Sequence, residues 1–162
     1  LPNSTGETIK LAKLLEKGPV VLVFYRGEWC PYCNLTLHAY QDKLTQINEL
    51  NATLVAISPE KPDDALTLIE NNDLSFPVLT DDNNEYARNL GIVFEMPPEL
   101  RDAYLNHGIK LIKKSGSENI FELPLSATYI IDSTGVIQYA FLDVNYTRRA
   151  DPLEIIDVLK KL

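Results

Sequence analysis

The sequence predicts an α/β fold: a central mixed β-sheet flanked by helices, opened by a βαβ unit and closed by a ββα unit. Three observations carry this. Two continuous apolar runs, Gly18 to Tyr25 and Thr53 to Ile57, bracket an amphipathic stripe. Two later runs, Thr128 to Ile131 and Val136 to Phe141, are joined only by Asp132-Ser133-Thr134-Gly135. A capped helical pattern ends the chain. Continuous Val-rich and aromatic runs mark strands buried on both faces. The stripe of Cys33, Leu37, Tyr40, Leu44, Ile47 and Leu50 steps by 4, 3, 4, 3 and 3, one face of a helix. Strand, helix and strand in that order predict a right-handed parallel crossover. The short later link makes an antiparallel hairpin. In Asp151-Pro152-Leu153-Glu154 a capping residue precedes a proline at the first helical position and a capping-box glutamate, with Leu153, Ile156 and Leu159 facing inward.

Between these units, Asp63 or Asp64 is a candidate cap for a helix through Asn71. Phe76 to Leu79 reads as a short strand ending in the turn Asp81-Asp82-Asn83-Asn84, and a short helix then stops at Gly91. Pro97 and Pro98 are candidates to open a helix with Leu100, Tyr104 and Leu105 inward, ending near Gly108, before a Ser115-Gly116-Ser117 loop. No repeat or linker interrupts residues 1–162, so one domain is expected.

The bulk composition excludes several classes. Apolar content of 45% and charged content of 23% are ordinary globular values. A net charge of -8 gives no footprint for nucleic acid. Basic residues gather only at Lys110, Lys113 and Lys114 and at Arg148 and Arg149. No run reaches the roughly 18 apolar residues of a membrane span. A cytoplasmic location is expected, although the chain begins at Leu1 without a methionine, so the lack of a targeting segment carries no weight.

The 2 cysteines stand three positions apart, in Trp29-Cys30-Pro31-Tyr32-Cys33. A bridge closing so short a loop restricts the unfolded chain little, which points to chemistry rather than to a structural staple. The pair lies where a buried strand ends and a helix begins. The free N–H groups and positive dipole end there favour an anion, and a thiolate is that anion. Pro31 suits the first helical position, which makes Cys30 the cap and Cys33 an inward residue. Cys30 is therefore expected to be the more exposed nucleophile and Cys33 the resolving partner. Trp29 and Tyr32 offer apolar docking surface, Arg26 a charge that lowers a thiol pKa, and Glu28 either a solvated carboxylate or a proton shuttle. A C-x-x-C is also half a zinc site. Only His38 and His107 could complete it, in no paired spacing, so neither metal nor cofactor is expected. His38 reads as a surface residue and His107 as a helix-end cation. Two inert buried thiols remain the bland alternative.

Phe24-Tyr25-Arg26-Gly27-Glu28-Trp29-Cys30-Pro31-Tyr32-Cys33 resembles the active-site strand and helix of thioredoxin-like proteins, and its Cys-Pro-Tyr-Cys is similar to that of dithiol glutaredoxins. Leu54 to Ser58, Phe76 to Asp81, Ala87 to Ile92, and Ala127 to Asp132 with Gly135 resemble the landmarks of the alkyl hydroperoxide reductase and thiol-specific antioxidant (peroxiredoxin) superfamily. The opening Leu1-Pro2-Asn3 resembles the end of its N-terminal strand motif. The resemblance implies a thioredoxin-like fold over nearly the whole chain. Its signature P-x-x-x-T/S-x-x-C places Arg26 at the proline, Cys30 at the hydroxyl residue and Cys33 at the peroxidatic cysteine. The family's second arginine falls at Ser126, which is also the thioredoxin cis-proline position. Arg148 or Arg149 could substitute for that arginine. The chain thus resembles a divergent, C-x-x-C type of peroxiredoxin-like protein.

The expected function is a thiol-dependent oxidoreductase with an antioxidant role. It reduces peroxides or disulfides through a reversible Cys30–Cys33 disulfide and is recharged by a thioredoxin- or glutathione-type reductant. Cys33 as the sulfenate-forming residue, and a redox-inert binding or chaperone-like domain, are the competing expectations. Many relatives dimerise, so a homodimer is a further one.

Overall fold

The computed structural model describes residues 1–106 and 121–162. Expectations for His107, the helix end near Gly108, the three lysines at 110, 113 and 114, and the Ser115–Ser117 loop fall outside them, as does the side chain of Leu105. The main sheet has five strands: β1 (Val20–Phe24), β2 (Thr53–Ser58), β3 (Val78–Thr80), β6 (Ser126–Ile131) and β7 (Ile137–Asp143), in the order β3-β2-β1-β6-β7. β1 pairs parallel with β2 and antiparallel with β6, and β2 pairs parallel with β3. The mixed sheet expected from βαβ plus ββα is present.

Alternation along β1 builds two cores. Val21, Val23 and Tyr25 face a layer made by α2 (Pro31–Gln41), α3 (Leu44–Glu49), α4 (Pro62–Asn71) and the closing helix α7 (Pro152–Leu159). Val20, Leu22 and Phe24 face the other side, covered by α1 (Leu11–Leu15) and α5 (Glu85–Asn89). Every residue of β1 is buried, as its unbroken apolar run requires.

Several boundaries differ from expectation for identifiable reasons. The single stripe from Cys33 to Leu50 is two helices. Lys43 N–H bonds the Tyr40 carbonyl at 3.1 Å, a three-residue closure that tightens and ends α2. The break lets Leu44, Ile47 and Leu50 stay against the core after Tyr40. Neither Asp63 nor Asp64 caps α4: Lys61 holds the cap position, Pro62 follows, and both aspartates lie in the first turn. The strand expected from Phe76 begins at Val78, because Pro77 has no N–H to donate, while Phe76 is buried in the core all the same. The late hairpin strands begin at Ser126 and Ile137 rather than Thr128 and Val136. Asp151 caps α7 by accepting from Leu153 N–H at 2.8 Å. Glu154 accepts from the Tyr139 hydroxyl at 3.0 Å instead of closing a capping box. Leu153 is exposed and Ile155 takes its inward place beside Ile156 and Leu159.

One feature had no local signal. β4 (Val93–Glu95) and β5 (Glu122–Pro124) form a separate two-stranded antiparallel sheet. Beneath α6 (Pro98–Asn106), Leu100 and Tyr104 pack on buried Met96 and Leu123, as the inward expectation for both required.

The facing of α2 is testable. Leu37→Ala, in the core, should cost about 2–5 kcal/mol of unfolding free energy. Leu35→Ala, on the exposed face of the same helix, should stay within about 0.5 kcal/mol. Urea titration measures both, and equal losses would contradict the observed facing.

Candidate active site

The segment from Tyr25 to Cys30 leads from the carboxyl end of β1 into α2, the place where open α/β sheets gather ligands. Its backbone is pinned from two sides. Glu28 N–H donates to Glu60 Oε1 at 2.8 Å, and the Asn34 side chain donates to the Glu28 carbonyl at 2.7 Å. Gly27 allows this closeness: a Cβ there would lie 2.2 Å from Trp29 Nε1 and 2.7 Å from Glu60 Oε1. Cys30 is the extended cap residue of α2, with Pro31 in the first turn. Cys33 N–H bonds the Cys30 carbonyl at 3.0 Å, so the two residues share the first helical turn.

Both thiols are free. Cys30 does not stand out from the surface as expected; it is 2% exposed and Cys33 1%. They differ in what they face. Cys30 lines an open cleft of about 360 Å³ whose walls include Arg26, Trp29, Tyr32, Tyr104 and Tyr146. Cys33 lines an inner cavity of about 10 Å³, beside Ser126 and Arg149, a volume near that of one water-sized probe. The electrostatics separate the pair further. A hydrogen bond from the Cys33 thiol is the largest influence bringing Cys30 down to about 6, and Arg26 and Arg149 add to it. Burial pushes Cys33 well above the ordinary thiol value, and the neighbouring Cys30 pushes the same way.

Cys33 Sγ accepts from Arg26 N–H at 3.5 Å and from Arg149 Nη2 at 3.4 Å. Arg149 comes from the segment after β7 and lines the same inner cavity as Ser126, whose Oγ is buried without a hydrogen-bond partner among the described residues. Of the two candidate arginines, Arg149 is thus the one at the thiols; Arg148 pairs with Asp143 at 3.0 Å on the surface. Arg26 is buried among Trp29, Tyr104 and Tyr146 and donates to the Tyr104 hydroxyl. Tyr32 is 43% exposed and packs edge-on to Tyr146, with centroids 5.7 Å apart. Glu28 lines neither of these two spaces, and its N–H and carbonyl both help to hold the loop. His38 is exposed on α2. Among the described residues no three His, Cys, Asp or Glu side chains gather as a metal set. Sequence reasoning did not single out Tyr104, Tyr146 or Glu60 for the site. Each arrives from a distant element, and none carries a local motif.

Known proteins resemble this chain in sequence and shape. A peroxiredoxin Q from the chloroplast of Populus jackii is 26% identical over 162 residues, 100% of this chain and 62% of that protein. A putative peroxiredoxin of Mycobacterium tuberculosis strain CDC 1551 is 30% identical over 92 residues, 57% of this chain and 60% of that protein. The chain therefore spans about three fifths of the length of these curated relatives. The crystal structure of peroxidoxin BcpB from Mycobacterium tuberculosis superposes with a TM-score of 0.78 at 21% identity, covering 100% of this chain and 91% of the other, which supports the same fold. No described helix is long and apolar enough to cross a membrane. The AhpC/TSA family model matches residues 1–140, and the chain belongs to that family.

Proposed function

We propose that the protein is a thiol-dependent peroxidase that cycles between the free Cys30 and Cys33 thiols and a Cys30–Cys33 disulfide. The observation that carries this is the lowered Cys30 thiol at the start of α2, facing the open cleft, with Cys33 in the same turn. Membership of the AhpC/TSA family supports it. At neutral pH Cys30 is largely thiolate, the nucleophilic form. Its sulfur attacks one oxygen of a hydroperoxide. An S–O bond forms, the O–O bond breaks, and the departing alkoxide takes a proton to become an alcohol. Cys30 is then a sulfenic acid. Cys33 attacks that sulfur; the S–S bond forms, the S–O bond breaks, and water leaves with the Cys33 proton. An outside reductant, one dithiol of the thioredoxin type or two monothiols of the glutathione type, supplies the two electrons and two protons that restore both thiols and leaves as its own disulfide. A reducing compartment such as the cytoplasm provides such donors. Attack of Cys30 on a substrate disulfide uses the same pair and ends in the same state. A redox-inert binding domain would leave both thiols near the free value of about 8.5, which the lowered Cys30 argues against.

One observation favours Cys33 as the attacking residue instead: two N–H donors, one from each of Arg26 and Arg149, converge on its sulfur. Trapping sulfenic acid with dimedone separates the two assignments. Cys33→Ser should react rapidly with peroxide and trap a sulfenate at Cys30, while Cys30→Ser reacts slowly. The reverse pattern would move the nucleophile to Cys33.

Stopped-flow oxidation by hydrogen peroxide, followed by fluorescence of Trp29, tests the activity itself. Second-order oxidation far faster than free cysteine is expected, with the rate falling by half near pH 6 as the Cys30 thiolate is lost. Because the folded value lies below the unfolded one, the thiolate's contribution to stability is complete above about pH 8.5 and is gone once pH has fallen through the folded value of about 6. Oxidation no faster than free cysteine at every pH would sink the peroxidase assignment.

Arg149 should matter to both thiols, since its charge lowers each. In Arg149→Gln the midpoint of the Cys30 thiolate absorbance should move upward. An unchanged midpoint would remove Arg149 from the site's electrostatics.

A further inference from the structure

Arg26 is a buried cation whose guanidinium makes a single hydrogen bond among the described residues. The residue is only 3% exposed and takes part in no ion pair among them. Nη2 donates to the Tyr104 hydroxyl, while Nε and Nη1 are buried without a partner. Three rings surround the group: its carbon lies 4.5 Å from the Tyr146 ring centre, 4.9 Å from that of Trp29 and 5.6 Å from that of Tyr104. Aromatic faces attract a cation, but that attraction sets the turn of the planar fork only loosely. A hydrogen bond is directional and fixes it. The orientation of Arg26 therefore rests on the Tyr104 hydroxyl.

Tyr104 is itself anchored. It comes from α6, packs on Met96 and Leu123, and meets Trp29 edge-on with centroids 5.6 Å apart. A phenylalanine ring would make these contacts as well; what the hydroxyl adds is the bond to Arg26. Arg26, Tyr104 and Cys30 line the same cleft. The Cys33 thiol is the largest influence lowering Cys30, and Arg26 adds to it.

We propose that Tyr104 is a positioning residue for the Cys30 nucleophile: its hydroxyl holds the Arg26 guanidinium beside Cys30, so a side chain of α6 sets the charge felt by the thiol at the start of α2. The proposal rests on the thiol-peroxidase assignment for what the thiol attacks, but not for the placement itself. Without the hydroxyl, the last partnered nitrogen of a buried guanidinium loses its acceptor. Unpartnered buried donors are costly. The group then leaves the rings for water and takes its charge away from Cys30.

The test is a double-mutant cycle read by thiolate absorbance of the reduced full chain. Tyr104→Phe should move the Cys30 midpoint upward. Arg26→Gln should move it further, since the charge itself is gone. The double variant should match Arg26→Gln, because without Arg26 the hydroxyl has nothing to hold. An unmoved midpoint in Tyr104→Phe, or two shifts that add in the double variant, would overturn the proposal. Oxidation by hydrogen peroxide gives a second readout. Tyr104→Phe should react more slowly than the unaltered protein near pH 6 and at least as fast well above it. Slowing by the same factor at every pH would mark a merely structural role and overturn the proposal. Should Tyr104→Phe not fold, NMR of the labelled Arg26 guanidinium in the unaltered protein decides: slow rotation is expected, and fast rotation would overturn the hydroxyl's hold. The midpoints need no turnover. A moved midpoint without fast oxidation removes the peroxidase assignment and keeps the positioning role; fast oxidation with an unmoved midpoint removes only that role.

Discussion

The hydrogen bond between the Cys30 and Cys33 thiols is the interaction on which the chemistry of this molecule turns. It draws Cys30 down to about 6, while burial first, and the neighbouring Cys30 second, hold Cys33 well above the ordinary value. Such a split needs the two sulfurs held in one helical turn and denied free water. The fold meets both needs. α2 begins at Pro31, so its first turn cannot unwind without exposing Cys33, Leu37 and Tyr40, all buried against β1 and its neighbours. The incoming loop is held by Glu60 and Asn34, residues of elements on either side of it in space. The rigidity of the sheet is thus spent on keeping two sulfur atoms inequivalent.

Two arginines surround that pair in different ways. Arg149 reaches Cys33 from the inner side, and Arg26 lies under the rings on the cleft side. Burying a cation is unfavourable unless it is paired or stacked. Aromatic contacts worth about 0.5–2 kcal/mol each offset part of that cost for Arg26, and a partly ionised thiol pair offsets more. The arrangement therefore couples the sulfur charge to the burial of both guanidinium groups. Thiolate on Cys30 and arginine on either flank stabilise one another.

Much of the frame was legible because local pattern and tertiary role agree. β1 is buried on both faces and reads as an unbroken apolar run. The β6–β7 hairpin follows from Gly135 and Asp132, whose carboxylate accepts from Thr134 and Val136 N–H groups in the turn. Pro31 marked the start of α2 and hence placed Cys30 at the cap and Cys33 in the first turn. What the sequence hid depends on contacts between distant segments. The β4–β5 pair joins short segments from either side of α6, with no alternation to announce it. The end of α2 depends on the shape of the sheet beneath it. The expectation that a cap residue is exposed failed at Cys30, since the aromatic walls of the cleft cover it.

Those walls explain how the site departs from its family without losing its charge. The resemblance placed Arg26 where a proline was expected and Ser126 where an arginine was expected, as if the site had lost one cation and gained another at random. In space the exchange is ordered. Where the resemblance expects a cation at Ser126, Arg149 brings one to the Cys33 sulfur from the segment beyond β7. The cation gained at position 26 lies buried beneath the cleft wall, against the aromatic rings of α6 and of the segment after β7. One guanidinium thereby meets the buried thiol and the other packs among the rings of the cleft wall. Ser126 and Arg26 both keep buried polar atoms without a hydrogen-bond partner among the described residues, so the exchange leaves polar atoms at both positions unanswered within the protein.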